Sequence, residues 1–283
     1  MIGQILANGL SSGSLYVLMA LGFTLIFGIL RLVNFAHGEF YMLGAFGVFY
    51  LTTSFGVNYF AALVLSAIGV GVIGLVIERL IFAPLRTREL SMLMSALGLQ
   101  IAALGLMAVL VGVNGMSLPS PVSGVLATPW FVLPYDRLLV VGLTFVVLAL
   151  FYLLIKHTRL GIMLRAVAQD GEAAAMQGMP VARIYSIAFV IGCMLAAIAG
   201  GLIAPIFALH VYMGQTALLK AFIVVILGGL GSIPGAVAGG LILGIGESLL
   251  ATTLGGLTAD MLGFVMIMAI LLWKPNGLFG RAA

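Results

Sequence analysis

The sequence predicts an all-α fold, a polytopic membrane bundle of about eight or nine transmembrane helices, and three observations predict it. Of 283 residues, 63% are hydrophobic and only 7% charged, whereas an ordinary soluble domain is about a quarter charged. So few charges could not cover the surface of a soluble protein of this size. Uncharged runs, among them residues 1–30 and 40–77, reach the ~20 residues that a helix needs to cross a bilayer core. The alternating segments of about ten residues that mark a membrane β-barrel are missing from the pattern. The chain reads as one transmembrane domain over residues 1–283, with no soluble domain set apart by composition.

Charge then orders the elements. No basic residue precedes the first apolar run, and the first charge is Arg31. This favours an uncleaved first span, about 8–30, with its N-terminus outside. "RLVNFAHGEF" follows, a knot of polar groups between two apolar stretches. It predicts a break between two helices, in which Asn34 and His37 satisfy exposed backbone groups, Gly38 permits the bend and Glu39 begins the next helix near its positive end. The same four residues are candidates for the lining of a translocation path. Spans two and three are expected at about 38–54 and 59–77, joined by "SFGVN". "ERLIFAPLRTREL", with Arg79, Arg86 and Arg88, predicts a cytoplasmic loop by the positive-inside rule.

Span four is expected at about 91–112. The Pro-, Ser- and Gly-rich stretch to Arg137 predicts an outside loop, with Trp130 and Tyr135 as interface anchors. Span five, about 138–155, leads into the longest basic loop, about 156–183, with Lys156, Arg159, Arg165 and Arg183. Span six covers about 184–207. Residues 218–253 are apolar but broken at "GGLGSIPGA", where Gly228, Gly229, Gly231, Pro234 and Gly235 interrupt helix. They predict either two spans or one span and a re-entrant piece. A last span ending near Trp273 leaves "KPNGLFGRAA", with Lys274 and Arg281, as a cytoplasmic tail. Nine spans are required if the N-terminus is outside and the tail inside. Gly235 to Gly239 and Gly240 to Gly244 are small-xxx-small steps that let helix backbones approach closely. No sequence repeat is evident.

Several chemistries are excluded. "GGLGSIPGA" has the glycines of a phosphate-binding loop but no lysine. His37, His157 and His210 lie apart, and no metal-ligand spacing exists. Ser11, Ser12 and Ser14 have no neighbouring base. Cys193 is the single cysteine, in an apolar run, and reads as a small buried hydrophobe. The basic residues behind the net charge of +4 are spread over several loops without a stripe or interleaved aromatics, unlike a nucleic-acid-binding surface. Charges crowd at span ends, with Glu247 the main candidate for an intramembrane acid. Uphill movement of a solute must therefore draw on an ion gradient or on a partner.

The long loop carries the strongest local signal. Asp170 caps a short helix, Glu172 sits in its first turn, and Ala173, Ala174 and Ala175 favour helix. Gly178 stops the helix and Pro180 prevents its continuation. Glu172-Ala173-Ala174 with Gly178 resembles the EAA---G loop of ABC-importer permeases, which contacts the ATPase subunit, although the Ile-x-Leu-Pro part of that pattern is absent. "LMALGFTLIFGILRLVNFAHGEFYMLGAF", "ERLIFAPLR", "TRLGIMLRAVAQDGEAAAMQG", "KAFIVVILGGLGSIPGAVAGG" and "WKPNGLFG" resemble, over nearly the whole chain, the branched-chain amino acid permease family in its Liv H-type subunit.

That resemblance implies a multi-pass permease subunit of a bacterial inner membrane, paired with a paralogous permease as a heterodimer. It further implies two cytoplasmic ATPases that bind ATP-Mg, a periplasmic substrate-binding protein and no cofactor on this chain itself. The implied cargo is leucine, isoleucine or valine, with urea or short amides as the alternative. An ion-coupled secondary transporter is the alternative from another class. Selection is expected to rest with the binding protein, so the permease is expected to hold solute weakly.

Overall fold

The computed structural model describes residues 2–31 and 33–256, together with 265, 268, 272, 274 and 277–279. In chain order its elements are α1 (Ile2–Leu30), α2 (His37–Thr53), α3 (Tyr59–Ile77), α4 (Glu89–Val111), β1 (Val125–Ala127), β2 (Val132–Pro134), α5 (Tyr135–His157), α6 (Arg159–Gln169), α7 (Gly171–Met176), α8 (Val181–Ile203), α9 (Met213–Gly228) and α10 (Ile233–Leu254). Among the described residues, six helices are long and apolar enough to cross a membrane: α1, α3 with its continuation to Leu85, α4, α5, α8 and α10. Most of the predicted last span and of the tail falls outside the described residues.

Short backbone-to-backbone approaches fix how the helices run. A Cβ added at Gly13 would stand 3.0 Å from Gly240 O, one at Gly9 would stand 2.7 Å from Ile245 Cα, and Gly240 abuts Val17. Residue numbers rise on α1 as they fall on α10, so the two helices are antiparallel. In the same way Tyr59 Oη donates to Gly201 O at 3.1 Å while Gly74 packs on Cys193, making α3 antiparallel to α8. Both small-xxx-small steps of α10 sit at such crossings: Gly235 and Gly239 meet Gly228 and Val224 of α9, and Gly240 and Gly244 meet α1. Without a hydrophobic force between helices in lipid, close packing of this kind is what holds them.

A repeat emerges that the sequence hides. A long helix, a non-helical stretch, a short helix and a further long helix occur as α1–α2–α3 and again as α8–α9–α10. The centre of the bundle is α1 with α2, α8 and α9, whereas α4 is the least buried span. One end of the bundle carries a β1–β2 hairpin with Val125 opposite Pro134, to which the Gln4 side chain donates at Val132 O (3.0 Å). The other end gathers Arg31, Arg165, Gln169 and Pro234 around a cleft of about 1010 Å³.

Two boundaries differ from expectation. α2 was expected to be a full span, but it starts at mid-depth. The "ERLIFAPLR" stretch was expected to be a loop, but it continues α3 as a π turn (Glu78–Phe82) and a 3₁₀ turn (Ala83–Leu85). Its charges do not end the helix because they are satisfied locally. Glu78, fully buried, pairs with Arg86 and accepts a hydrogen bond from Ser186 Oγ at 2.6 Å.

Candidate functional site

The polar knot is a re-entrant bend. At ~1.5 Å per residue α1 is about 43 Å long, and His37 Nε2 lies 3.3 Å from Met19 O, in the middle third of that helix. His37 thus lies about 16 Å back from the end of α1, within the ~20 Å that six extended residues reach. Arg31 ends α1 with φ 52 and its N–H on Phe27 O at 2.8 Å, taking the left-handed position that a glycine usually fills. Asn34 is wholly buried and its Oδ1 accepts from Ala36 N at 3.1 Å, turning the chain into α2. The His37 ring stands edge-on to Phe23, with centroids 5.7 Å apart.

The second bend, residues 204–212, does the same from the opposite end. Met116 and Leu209 form a bridge at the hairpin end of the bundle, and the chain then returns to mid-depth, where α9 begins. α2 and α9 meet there. A Cβ on Gly38 would stand 2.2 Å from Gly214 O, and one on Gly214 would stand 2.4 Å from Gly38 O. Only glycine fits at either place. Two half-helices therefore begin beside each other in the middle of the bundle, each with its positive dipole end there. Discontinuous helices in corresponding positions of inverted halves are how transporters build mid-membrane solute sites. Glu39, 2% exposed, lies in the first turn of α2, and neither carboxylate oxygen has a hydrogen-bond partner among the described residues.

The break at "GGLGSIPGA" joins α9 to α10. Gly229 (φ 101) and Gly231 (φ 80) take left-handed turns, Ser232 Oγ caps α10 by accepting from Gly235 N (3.1 Å), and Pro234 occupies its first turn. Gly228 and Gly235 cross so closely that a Cβ on either would stand 2.1–2.2 Å from the other's carbonyl oxygen. Leu278 N and Phe279 N donate to Leu227 O (2.8 Å) and Gly228 O (3.0 Å), tying residues of the tail to the same end.

The long loop folds as two helices. Thr158 Oγ1 caps α6 by accepting from Gly161 N (3.0 Å), and Asp170 Oδ1 caps α7 by accepting from Glu172 N (2.9 Å) and Ala173 N (3.0 Å). At the far end Gly178, φ 78, donates to Ala175 O (2.9 Å) and Met179 N to Ala174 O (3.1 Å), a Schellman closure. Ala174 packs inward, while Glu172, Ala175, Met176, Gln177 and Gly178 face out, with Met176 82% exposed. α7 is linked back to the bundle by Tyr185. Its hydroxyl faces Gly171, and the Arg86 guanidinium lies 4.9 Å from its ring centroid. Arg86 in turn holds Glu78 at the end of α3.

Sequence reasoning missed two sets of residues. The first is Glu78 and Arg86, which the sequence pattern places in a loop, with Ser186 of the expected span six as their unforeseen partner; Glu78 and Arg86 at i and i+8 on a continuing helix are the available signal. Glu247 is the sequence's main candidate for an intramembrane acid, but its partner was not foreseen: Lys220 lies in α9 and pairs with Glu247 of α10, while Tyr16 Oη of α1 donates to Glu247 at 2.7 Å. A lysine within an apolar run was the available signal.

Residues 5–271 match the family described as "Branched-chain amino acid transport system / permease component". The chain is 34% identical to the high-affinity branched-chain amino acid transport system permease protein LivH of Salmonella typhimurium, over 98% of this chain and 95% of that protein. It is 34% identical to BraD, of the same description, from Pseudomonas aeruginosa, over 98% and 95%. A probable branched-chain amino acid transport permease protein LivH from Methanocaldococcus jannaschii is 32% identical over 98% and 92%. No solved structure matches.

Proposed function

Because the chain belongs to the family of branched-chain amino acid transport permease components, we propose that it imports leucine, isoleucine or valine as one membrane subunit of an ATP-driven transporter in a bacterial inner membrane. It pairs there with a paralogous permease. Two ATPases that hold ATP-Mg supply the energy, and a periplasmic binding protein supplies the solute. The end of the bundle with α6 and α7 faces the cytoplasm, where the C-terminal tail also lies. The hairpin end faces the binding protein.

The observation that carries this reading is α7. It is capped at both ends, exposes Ala175, Met176 and Gly178, and connects through Tyr185 and Arg86 to the buried Glu78 of α3. A small, low-charge helix held this firmly at a bundle end can seat in a groove of an ATPase and pass movement to α3 and α8. Asn34 and His37 act at the bend of α2, positioning the half-helix, and contact between them and solute is part of the same proposal.

The test is uptake of radiolabelled leucine into vesicles holding the reconstituted complex, with ATP supplied on the α7 side and unlabelled valine, isoleucine, urea and acetamide as competitors. Competition by valine and isoleucine alone is the expected result. Competition by urea or acetamide would assign the chain to amide transport. Uptake driven by an ion gradient without ATP would make it a secondary transporter.

A further inference from the structure

Lys220, Glu247 and Tyr16 form a charged group between α9, α10 and α1 that the import reading does not use. Lys220 is the eighth residue of the sixteen-residue α9, and Glu247 lies seven residues before the end of α10. Tyr16 lies at the centre of α1, while Gly9 packs on Ile245 and Ser248 Oγ donates to Ile5 O at 2.8 Å, so the Glu247 backbone lies beside the first turns of α1 and its side chain meets the Tyr16 hydroxyl between that level and the centre. The two charges pair directly, Tyr16 Oη donates to Glu247 Oε2 at 2.7 Å, and Lys220 Nζ lies 6.0 Å from the centroid of the Tyr16 ring.

Packing alone does not account for the pair. Taking two charges out of water is costly, and a buried pair is commonly no better for stability than apolar residues of the same volume. Ionisable residues within spans face the bundle interior or a cavity, pair with one another, and commonly mark solute or ion pathways. The pair is not fully sealed: the Lys220 and Glu247 side chains are 10% and 12% exposed, unlike Glu78, which is wholly buried. Its place agrees with this, since Lys220 is on α9, one of the two half-helices that mark the mid-membrane region.

The geometry points to Lys220 and Glu247 as a contact site for the two charged groups of a free α-amino acid on its way through. The pair opens, Lys220 takes the solute carboxylate, Glu247 takes the solute ammonium while Tyr16 keeps its carboxylate oriented, and the pair closes again after release. No charge is left unpaired at any stage. The resting pair competes with the solute, so the site holds solute weakly, as a path must. An uncharged amide has nothing to exchange with it. This inference rests on the import reading and names the part of the solute that the path recognises.

The complex with its ATPase and binding-protein partners is reconstituted in liposomes, and leucine uptake is measured per ATP hydrolysed. The Lys220→Met/Glu247→Gln double variant removes both charges at near-constant volume and leaves no lone ion. It is expected to assemble, to melt at or above the parental temperature and to hydrolyse ATP when the binding protein docks, with leucine carried per ATP falling about tenfold or more, the scale of one or two lost charged contacts. The reversed pair, Lys220→Glu/Glu247→Lys, keeps an ion pair but presents like charge to each end of a solute delivered in one orientation, and is expected to assemble and stay slow. Parental uptake per ATP in the double variant, full rescue by reversal, or failure of the double variant to assemble would each overturn the inference and leave a structural pair. A parental complex that carries no leucine would overturn the import reading as well, and is read from the unaltered chain alone.

Discussion

Gly178 is the most informative single position, because its two roles separate by size. Its φ of 78 is a conformation that costs an ordinary L-residue roughly 1–2 kcal/mol, and this is the conformation that closes α7. Nothing in this chain lies within 4 Å of a Cβ placed there, so a side chain meets no internal obstacle. Gly178→Ala and Gly178→Leu therefore carry about the same strain, worth a factor of about 5–30 in the population of the closed form. Gly178→Asn carries less, since Asn tolerates the left-handed region. If α7 seats in an ATPase groove, bulk matters beyond strain. Gly178→Asn and Gly178→Leu should then both fall well below Gly178→Ala in ATP-driven uptake, with membrane levels of all three near the parent. The assay is leucine uptake beside subunit pull-down. Should Gly178→Leu transport no worse than Gly178→Ala, with Gly178→Asn near the parent, strain would explain everything and the groove would be refuted.

The remaining expectations are briefer. Asp170→Ala removes the acceptor for two backbone N–H groups and should loosen α7 by about 1 kcal/mol, measurable as faster amide exchange over 171–176 with uptake reduced; Glu172→Ala should lower uptake at normal membrane level. Asn34→Ala leaves the buried Ala36 N–H without its acceptor and should cost roughly 1–3 kcal/mol, so its thermal midpoint should fall together with uptake, and an unchanged midpoint would argue against the role at the bend. Gly38→Ala or Gly214→Ala should prevent the close crossing of α2 and α9, seen as loss of folded complex in detergent. Leucine titrated calorimetrically into the permease pair without its binding protein should show no micromolar site.

Signals carried by local chemistry were legible in the sequence. Asp170, Gly178 and Pro180 announced α7 because a cap needs an acceptor, a left-handed residue and a stop, and the "GGLGSIPGA" break showed for similar reasons. α3 was legible at its length of 59–77 because its apolar run is unbroken. Depth was not legible. Hydropathy reports length and apolarity, so residues 38–54 looked like a full span although His37 lies beside the middle of α1. The inverted halves were hidden because the repeat is one of backbone path, held by scattered glycine contacts such as Gly38 on Gly214. The sequence pattern places Glu78 in a loop and offers no partner for Lys220, because hydropathy ends a span at a charge and is blind to pairing, whereas Glu78 is held by Arg86 eight residues on and by Ser186 of α8, and Lys220 by Glu247 of α10. The candidate path residues Asn34, His37, Gly38 and Glu39 were singled out together, yet only the fold shows that Gly214 of α9 completes their crossing.

The central claim, that this chain is the membrane part of an importer whose energy enters through α7, is tested most directly by a disulfide trap in the reconstituted complex. A cysteine at exposed Met176, in a Cys193→Ala background, is oxidised against single cysteines lining the ATPase groove, while leucine uptake and ATP hydrolysis are followed together. The account predicts a cross-link to the ATPase, loss of uptake while the link holds, and return of ATP-dependent uptake on reduction. ATP-driven leucine uptake in a complex whose Met176→Cys chain never cross-links to the ATPase, or continues at the full rate when linked elsewhere, would contradict it.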